Sequence, residues 1–388
     1  MIARNIAVAG LAIIGLTVWG NVPQQQAASQ EKDISNFQLA LVTPVQIHNA
    51  QRSIHGLRLN VIYGRNDNLK GMDIGLGNDL TGNLRGAQIG IVNNADGTGK
   101  ALQMGIVNLI GLEFQGIQLA PVGINLVNVD AAGWQLAGAG ANLTLENQAG
   151  GQLNIFGINF VGSDADNQLS AAGINWAYGK VNGGQWVAAG LNAAGDAATL
   201  QIAGFGGNFT LGNVDAGQLA VIGANIALDA VDKQICGIGL NYVDTSVSGA
   251  QVDIIGINWA GDSAVAQING IGLNAALEQV DGGQFNGIGI NFANDDVNGA
   301  QVVGFAGINL ASGNANGAQA VLLLLGANYA ANIEGVQWSA VNIVSDKMAG
   351  FQFGVINYAA ELDGIQFGVI NIAPGNVTPI MPIVNASW

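Results

Sequence analysis

The chain has 388 residues, 59 of them glycine, and only 10% are charged where about a quarter is usual. Its 49% apolar content sets it apart from disordered polymers, and a net charge of −15 excludes the basic stripe that nucleic-acid phosphates require. A single cysteine, Cys236, excludes an internal disulfide framework and reads as a small buried side chain.

Residues 1–30 read as a signal peptide, with Arg4 as the positive start, Ile6–Gly20 as the apolar run and Ala27 and Ala28 as small residues for cleavage. The apolar run is too short and too glycine-interrupted for a transmembrane helix, which needs about 20 residues. No cysteine follows it, so no lipid anchor is expected by that route. Export is therefore expected, to the cell surface, the outer membrane or the medium.

Residues 31–84 read as a degenerate cap holding both histidines, His48 and His55. No cysteine or acidic cluster accompanies them, so they are expected to be solvated or capping residues rather than metal ligands.

Residues 85–373 carry a tandem array in which a glutamine, an apolar run with a glycine and an asparagine recur eighteen times, from Gln88 to Asn371. The step between glutamines is 14 to 18 residues, and from Gln152 to Gln284 it alternates between 16 and 17. From Gln118 to Gln284 the Asn lies seven residues after its Gln; at Gln88, Gln103, Gln337, Gln352 and Gln366 it lies five after. With Gln as position zero, positions +1, +4, +6 and +8 are mostly apolar, as in Val252, Ile255, Ile257 and Trp259. Alternation with period two indicates strands with one buried face, and +4, +6 and +8 are expected to face the interior. The glycine two residues before many of the glutamines is expected to give the freedom that a tight corner needs. The acidic turns, such as Asn294-Asp295-Asp296, wander in position and read as solvated corners rather than as calcium sites.

The fold class is all-β. A β-solenoid of about 20 short coils is the leading architecture, because stacking coils about 4.8 Å apart gives every Gln and Asn an identical neighbour for an amide ladder. The ladder is assigned to Gln152, Gln185, Gln218, Gln251 and Gln284 and to Asn159, Asn192, Asn225, Asn258 and Asn291. The alternative is an up-and-down barrel or meander, favoured by the alternating step, which would suit hairpins with two turn types. Residues 374–388 read as a C-terminal cap in which Pro374, Pro379 and Pro382 blunt the last edge.

The stretch His55-Gly-Leu-Arg-Leu-Asn-Val-Ile-Tyr-Gly64, followed by Gly86–Asn93 (GAQIGIVN) and Leu102–Asn108 (LQMGIVN), resembles a bacterial surface repeat-containing family with tandem G-x-Q-x-G-x-x-N units. The likeness spans about residues 37–371, and the seven-residue spacing of the middle repeats departs from the family's shorter unit. It implies an exported, surface-exposed protein and nothing catalytic.

No catalytic residue, cofactor site or metal site is assigned, because two histidines and one cysteine build no nucleophilic arrangement and no glycine-rich loop precedes a Lys-Ser/Thr pair. The partner is unknown. The function expected is a non-enzymatic structural or adhesive surface protein. One alternative is an outer-membrane barrel, for which the terminal Trp388 is the one supporting feature. The other is a flat ice- or glycan-binding face made of +5 Gly, +7 Asn and +9 Ala, here Gly256, Asn258 and Ala260.

Overall fold

Each middle repeat contributes one long strand that is bent sharply near its centre. The computed structural model describes residues 33–388; the signal-peptide expectation for residues 1–30 lies outside the described residues. All the repeats belong to one unit, Ser35–Trp388. Successive strands pair parallel and in register, with Gln234 beside Gln251, Gly239 beside Gly256 and Asn241 beside Asn258. The result is an all-β solenoid of about 19 turns, and antiparallel pairing is confined to the caps. This overturns the barrel and meander alternative, in which neighbouring strands would run antiparallel throughout.

The bend is visible in the hydrogen bonds. In the strand Val247–Ala260, Gln251 Nε2 donates to the carbonyl of Trp259 at 2.9 Å. Eight residues of straight strand would separate these groups by roughly 26 Å, so the two halves must fold back on each other. Ile254 and Ile255, adjacent and both exposed, form the outer corner. At the equivalent corner of neighbouring coils the +5 glycine has a left-handed backbone, with φ of +146° at Gly223 and +150° at Gly239, and the glycine two residues before Gln has one in other coils, as at Gly116, Gly150 and Gly364. A Cβ at Gly223 would lie 1.6 Å from the carbonyl oxygen of Gly206 in the previous coil, so the column admits no side chain.

Coils of two shapes do alternate. Val231 pairs with Val247, yet two residues later Lys233 pairs with Ala250, so alternate coils carry one extra residue before their Gln. The 33-residue double repeat is this bulge.

In the N-terminal coils where the spacing is five, each coil is made of two short strands, such as Leu84–Ile89 and Val92–Ala95, joined at a tighter corner. At this end larger apolar side chains stand beside the turn, Leu69 and Leu84 in narrow coils and Phe114 in the first wide one. At the far end the strand Ile380–Ser387 lies antiparallel on the last coil, so that edge is covered by a strand, with Pro382 inside it, rather than only blunted.

Candidate functional site: an amide interior and an apolar corner edge

The interior is polar along its centre. Gln251 and Asn258 are fully buried, as are their equivalents Gln152, Gln185, Asn159, Asn192, Asn225 and Asn291; Gln218 and Gln284 are nearly so. Each glutamine donates through Nε2 to the Oε1 of the glutamine before it, as Gln251 to Gln234 at 2.9 Å and Gln284 to Gln267 at 2.7 Å. Each asparagine donates the other way, to the asparagine after it, as Asn225 to Asn241 at 2.8 Å and Asn258 to Asn274 at 2.9 Å. The two ladders therefore run with opposed polarity, and their amide dipoles offset one another. Each nitrogen's second proton goes to a backbone carbonyl of the facing half-strand, Gln284 to Phe292 and Asn258 to Ile268. A carbonyl can only accept, which fixes which end of each amide is nitrogen.

The N-terminal element ends both ladders. Arg58 and Asp73 occupy the glutamine column, fully buried and ion-paired, and Gln88 Nε2 donates to the Asp73 carboxylate at 3.2 Å. Asn60 donates to Asn78 at 2.8 Å and so begins the asparagine ladder. Gly64 stands in that column and leaves room: a Cβ there would lie 1.8 Å from Asn60 Oδ1. The Arg, Asn and second Gly of the GLRLN-x-x-YG stretch are thus a terminator for the repeat. His48 and His55 belong to the same cap. His48 Nδ1 lies 3.0 Å from an Arg52 nitrogen, and His55 is exposed.

The apolar positions expected inside are outside. Ile254 is 66% exposed, Ile255 45% and Ile257 41%, and Trp259 is only half-buried. The buried apolar column is made instead of small residues beside the turn, Val247 and Ala260 in this coil, with one further small or polar residue at +2. The same geometry removes the flat small-residue face, because Asn258 and Ala260 are buried. Cys236 does lie inside at +2, beside Asp253. Burial pushes the Asp253 carboxyl up to about 7, and burial with the nearby Asp253 charge pushes the Cys236 thiol up to about 11. Asp253 Oδ2 has no hydrogen-bond partner among the described residues.

Charge is segregated across the coil. From Gln88 to Asn371 no charged residue lies between a Gln and its Asn except the buried Asp253. Every other Asp and Glu of residues 85–373 lies between an Asn and the next Gln, on the turn edge, as do the five lysines and arginines. Leu112, Leu145, Leu211, Leu228, Val265 and Leu277 are exposed apolar residues in those turns, Leu211 and Leu228 at the same position of adjacent coils. The corner edge opposite is continuously apolar and includes Phe156, Phe205, Ile222, Ile238, Ile271 and Ile288. Aromatic residues flank it: Trp186 and Phe285 at +1 on one face, Trp176, Tyr242, Trp259 and Phe292 at +8 on the other. Near the C-terminal end, Trp338, Phe353 and Phe367 stack at +1 with ring centroids 4.4 and 5.6 Å apart.

The corner edge varies in relief. The narrow coils leave a groove of about 840 Å³, floored by Ile74, Ile89 and Met104 and closed at one end by Pro121 and Val122 of the first wide coil. The Gln-to-Asn distance grows to eight at Gln301 and nine at Gln319, and the widest coil pushes out Leu322-Leu323-Leu324-Leu325. Leu322, Leu323 and Leu325 are each more than half exposed, and Leu324 holds a left-handed backbone with φ of 58°. That conformation costs a non-glycine residue about 1–2 kcal/mol.

Among the described residues no group of three His, Cys, Asp or Glu side chains is placed to hold a metal ion. The chain matches no family model, no curated protein and no solved structure.

Proposed function

We propose that this chain is an exported, non-enzymatic surface repeat protein with a structural and adhesive role, and that its apolar corner edge is the adhesive surface. The observation that carries the reading is the segregation of charge: an uncharged edge with exposed aliphatic side chains in most coils on one side, acids along the other. Exposed apolar patches of this extent mark interaction surfaces, and an edge free of charge favours an apolar counterpart. The acidic edge, with net charge far from zero, keeps the protein dispersed on its other side. The signal-peptide pattern of residues 1–30 and the resemblance to bacterial surface repeat proteins support export.

Full-length chain carrying Cys236→Ala and Glu278→Cys, expressed in a bacterial host, tests both parts. A membrane-impermeant maleimide is expected to label intact cells, and the cells to be retained on alkylated glass. Replacing Ile254, Ile255, Ile271 and Ile288 by Ser is expected to abolish retention while labelling persists. Labelling only after lysis would contradict export, and unchanged retention in the Ser variant would contradict adhesion through the corner.

A further inference from the structure

We infer that the occupant of the corner edge is the acyl region of a lipid bilayer, entered in the manner of a wedge lying along the membrane, with the Leu322–Leu325 turn as its deepest anchor. This rests on the adhesive reading of the same edge and names its partner. Three observations point to lipid rather than to another protein surface.

The first is the ordering of side chains with depth. From the corner outward come mainly aliphatic residues at +3, +4 and +6, with Phe156 and Phe205 among them, then a mixture of aliphatic and aromatic residues at +1 and +8, then acids on the turn edge. Trp and Tyr favour the boundary between hydrocarbon and headgroups, and Trp176, Trp186, Tyr242 and Trp259 lie between the aliphatic corner and the acidic turns. From +1 to +4 the strand rises roughly 10 Å, the depth to which interfacial amphipathic elements enter a leaflet.

The second is the irregular relief of the edge. The pair at +3 and +4 is Ile155-Phe156, Ala188-Ala189, Gly204-Phe205, Val221-Ile222 and Ile254-Ile255 in different coils. Protein interfaces of this size need matched shapes at interior packing density. A second copy of this edge would meet bulk with bulk at some coils and gaps at others. Fluid acyl chains fill such relief without a register.

The third is the Leu322–Leu325 turn. Four consecutive leucines lie at the widest coil, three of them largely exposed, and one is held in a left-handed conformation that local contacts alone do not reward. The Leu324 amide donates to the Val321 carbonyl at 3.0 Å, so the turn is a formed tip. No charged residue occurs between Gln319 and Asn328.

The test uses full-length chain with Cys236→Ala and one new cysteine, Leu323→Cys, Ile255→Cys or Glu278→Cys, each bearing an environment-sensitive fluorophore. The probe is a phosphatidylcholine vesicle with nitroxide on the acyl chains. Labels at 323 and 255 are expected to shift to the blue and to lose about half their emission to the nitroxide, as for groups below the headgroups. The label at 278 is expected to stay unquenched and open to aqueous iodide. In the 255-labelled chain, changing Leu322, Leu323 and Leu325 to Ser is expected to raise the lipid concentration needed for half-maximal quenching by about tenfold, since lost apolar burial translates directly into affinity. Chain that floats with vesicles while 323 and 255 remain open to iodide would overturn the proposal, because attachment would lie elsewhere. Protection of 255 from iodide that depends on protein concentration and needs no lipid would also overturn it, assigning the edge to a second copy and leaving the adhesive reading intact. Retention on alkylated glass with no lipid quenching separates the two readings in the same way.

Discussion

The interior column and the corner edge of the same coil use opposite materials. Inside, Gln251 and Asn258 are fully buried and each amide nitrogen spends both protons within the protein; outside, Ile254 and Ile255 face solvent a few residues away. Two half-strands this close leave little space between them: larger apolar side chains fit only beside the turn, and +2 takes nothing bigger than Val187 and Val303 or a short polar group. A planar amide can occupy the gap, and only stacking makes it tolerable there, since a buried amide without partners costs about 1–3 kcal/mol. Order along the array thus comes from hydrogen bonds and backbone pairing, and large apolar side chains are left for the surface.

The sharpest way to break the contrast lies in two adjacent glycines. Gly206 has φ of +131°, and a Cβ on it would meet the Gly190 carbonyl oxygen at 1.9 Å. Gly207, one residue on, would place its Cβ 3.4 Å from the nearest atom, the Ala224 carbonyl oxygen, and has no left-handed backbone. Gly206→Ala is expected to cost more than about 3 kcal/mol or to prevent folding, and Gly207→Ala to stay within about 0.5 kcal/mol of the parent. Chemical denaturation of both measures the difference; equal stabilities would remove the glycine column as a determinant.

A smaller effect probes the polar interior. The native Asp253 carboxyl titrates near 7 against an ordinary 3.8, so the folded state holds the proton more tightly than the unfolded state. Stability from this group is therefore greatest at low pH and falls as pH rises from about 4 through 7. Asp253→Asn keeps the shape and removes the charge. Its melting temperature is expected to exceed that of the parent at pH 8, with the gap closing toward pH 4. A gap that is constant with pH, or that widens in acid, would show that Asp253 is not held in the way described.

The architecture is legible because Gln and Asn recur with fixed spacing, and identity at every repeat has a physical use only where like stands on like. The alternation of 16 and 17 residues is harder to place. It suits a hairpin with two turns, yet it is a one-residue bulge such as that between Val247 and Gln251. The inside and the outside are misassigned for a reason that the sequence itself contains. If Asn258 at +7 is buried in a ladder, period two places +6 and +8 on the opposite face, so Ile257 and Trp259 belong outside. The ladder and an apolar +6/+8 core are incompatible, and the habit of placing isoleucine inside obscures this. The corner between +3 and +5 then resets the phase, which is why +2 and +7 share the interior although they differ by an odd number. A second signal is also present, the lack of charge between every Gln and its Asn apart from Asp253. The Leu322–Leu325 tip needs the structure, since a leucine run in a strand does not announce a left-handed residue.

Thiol reactivity in lipid-free, dilute protein reads directly which side chains face inward. Native Cys236 is buried in the +2 column; a cysteine at Ile255, in the Cys236→Ala background, would stand on the corner. The expected result is rapid maleimide labelling at 255 in the folded protein and labelling of Cys236 only after denaturation. Protection at 255 that persists on dilution, with Cys236 labelled at the rate of a free thiol, would mean that the aliphatic positions form the core after all.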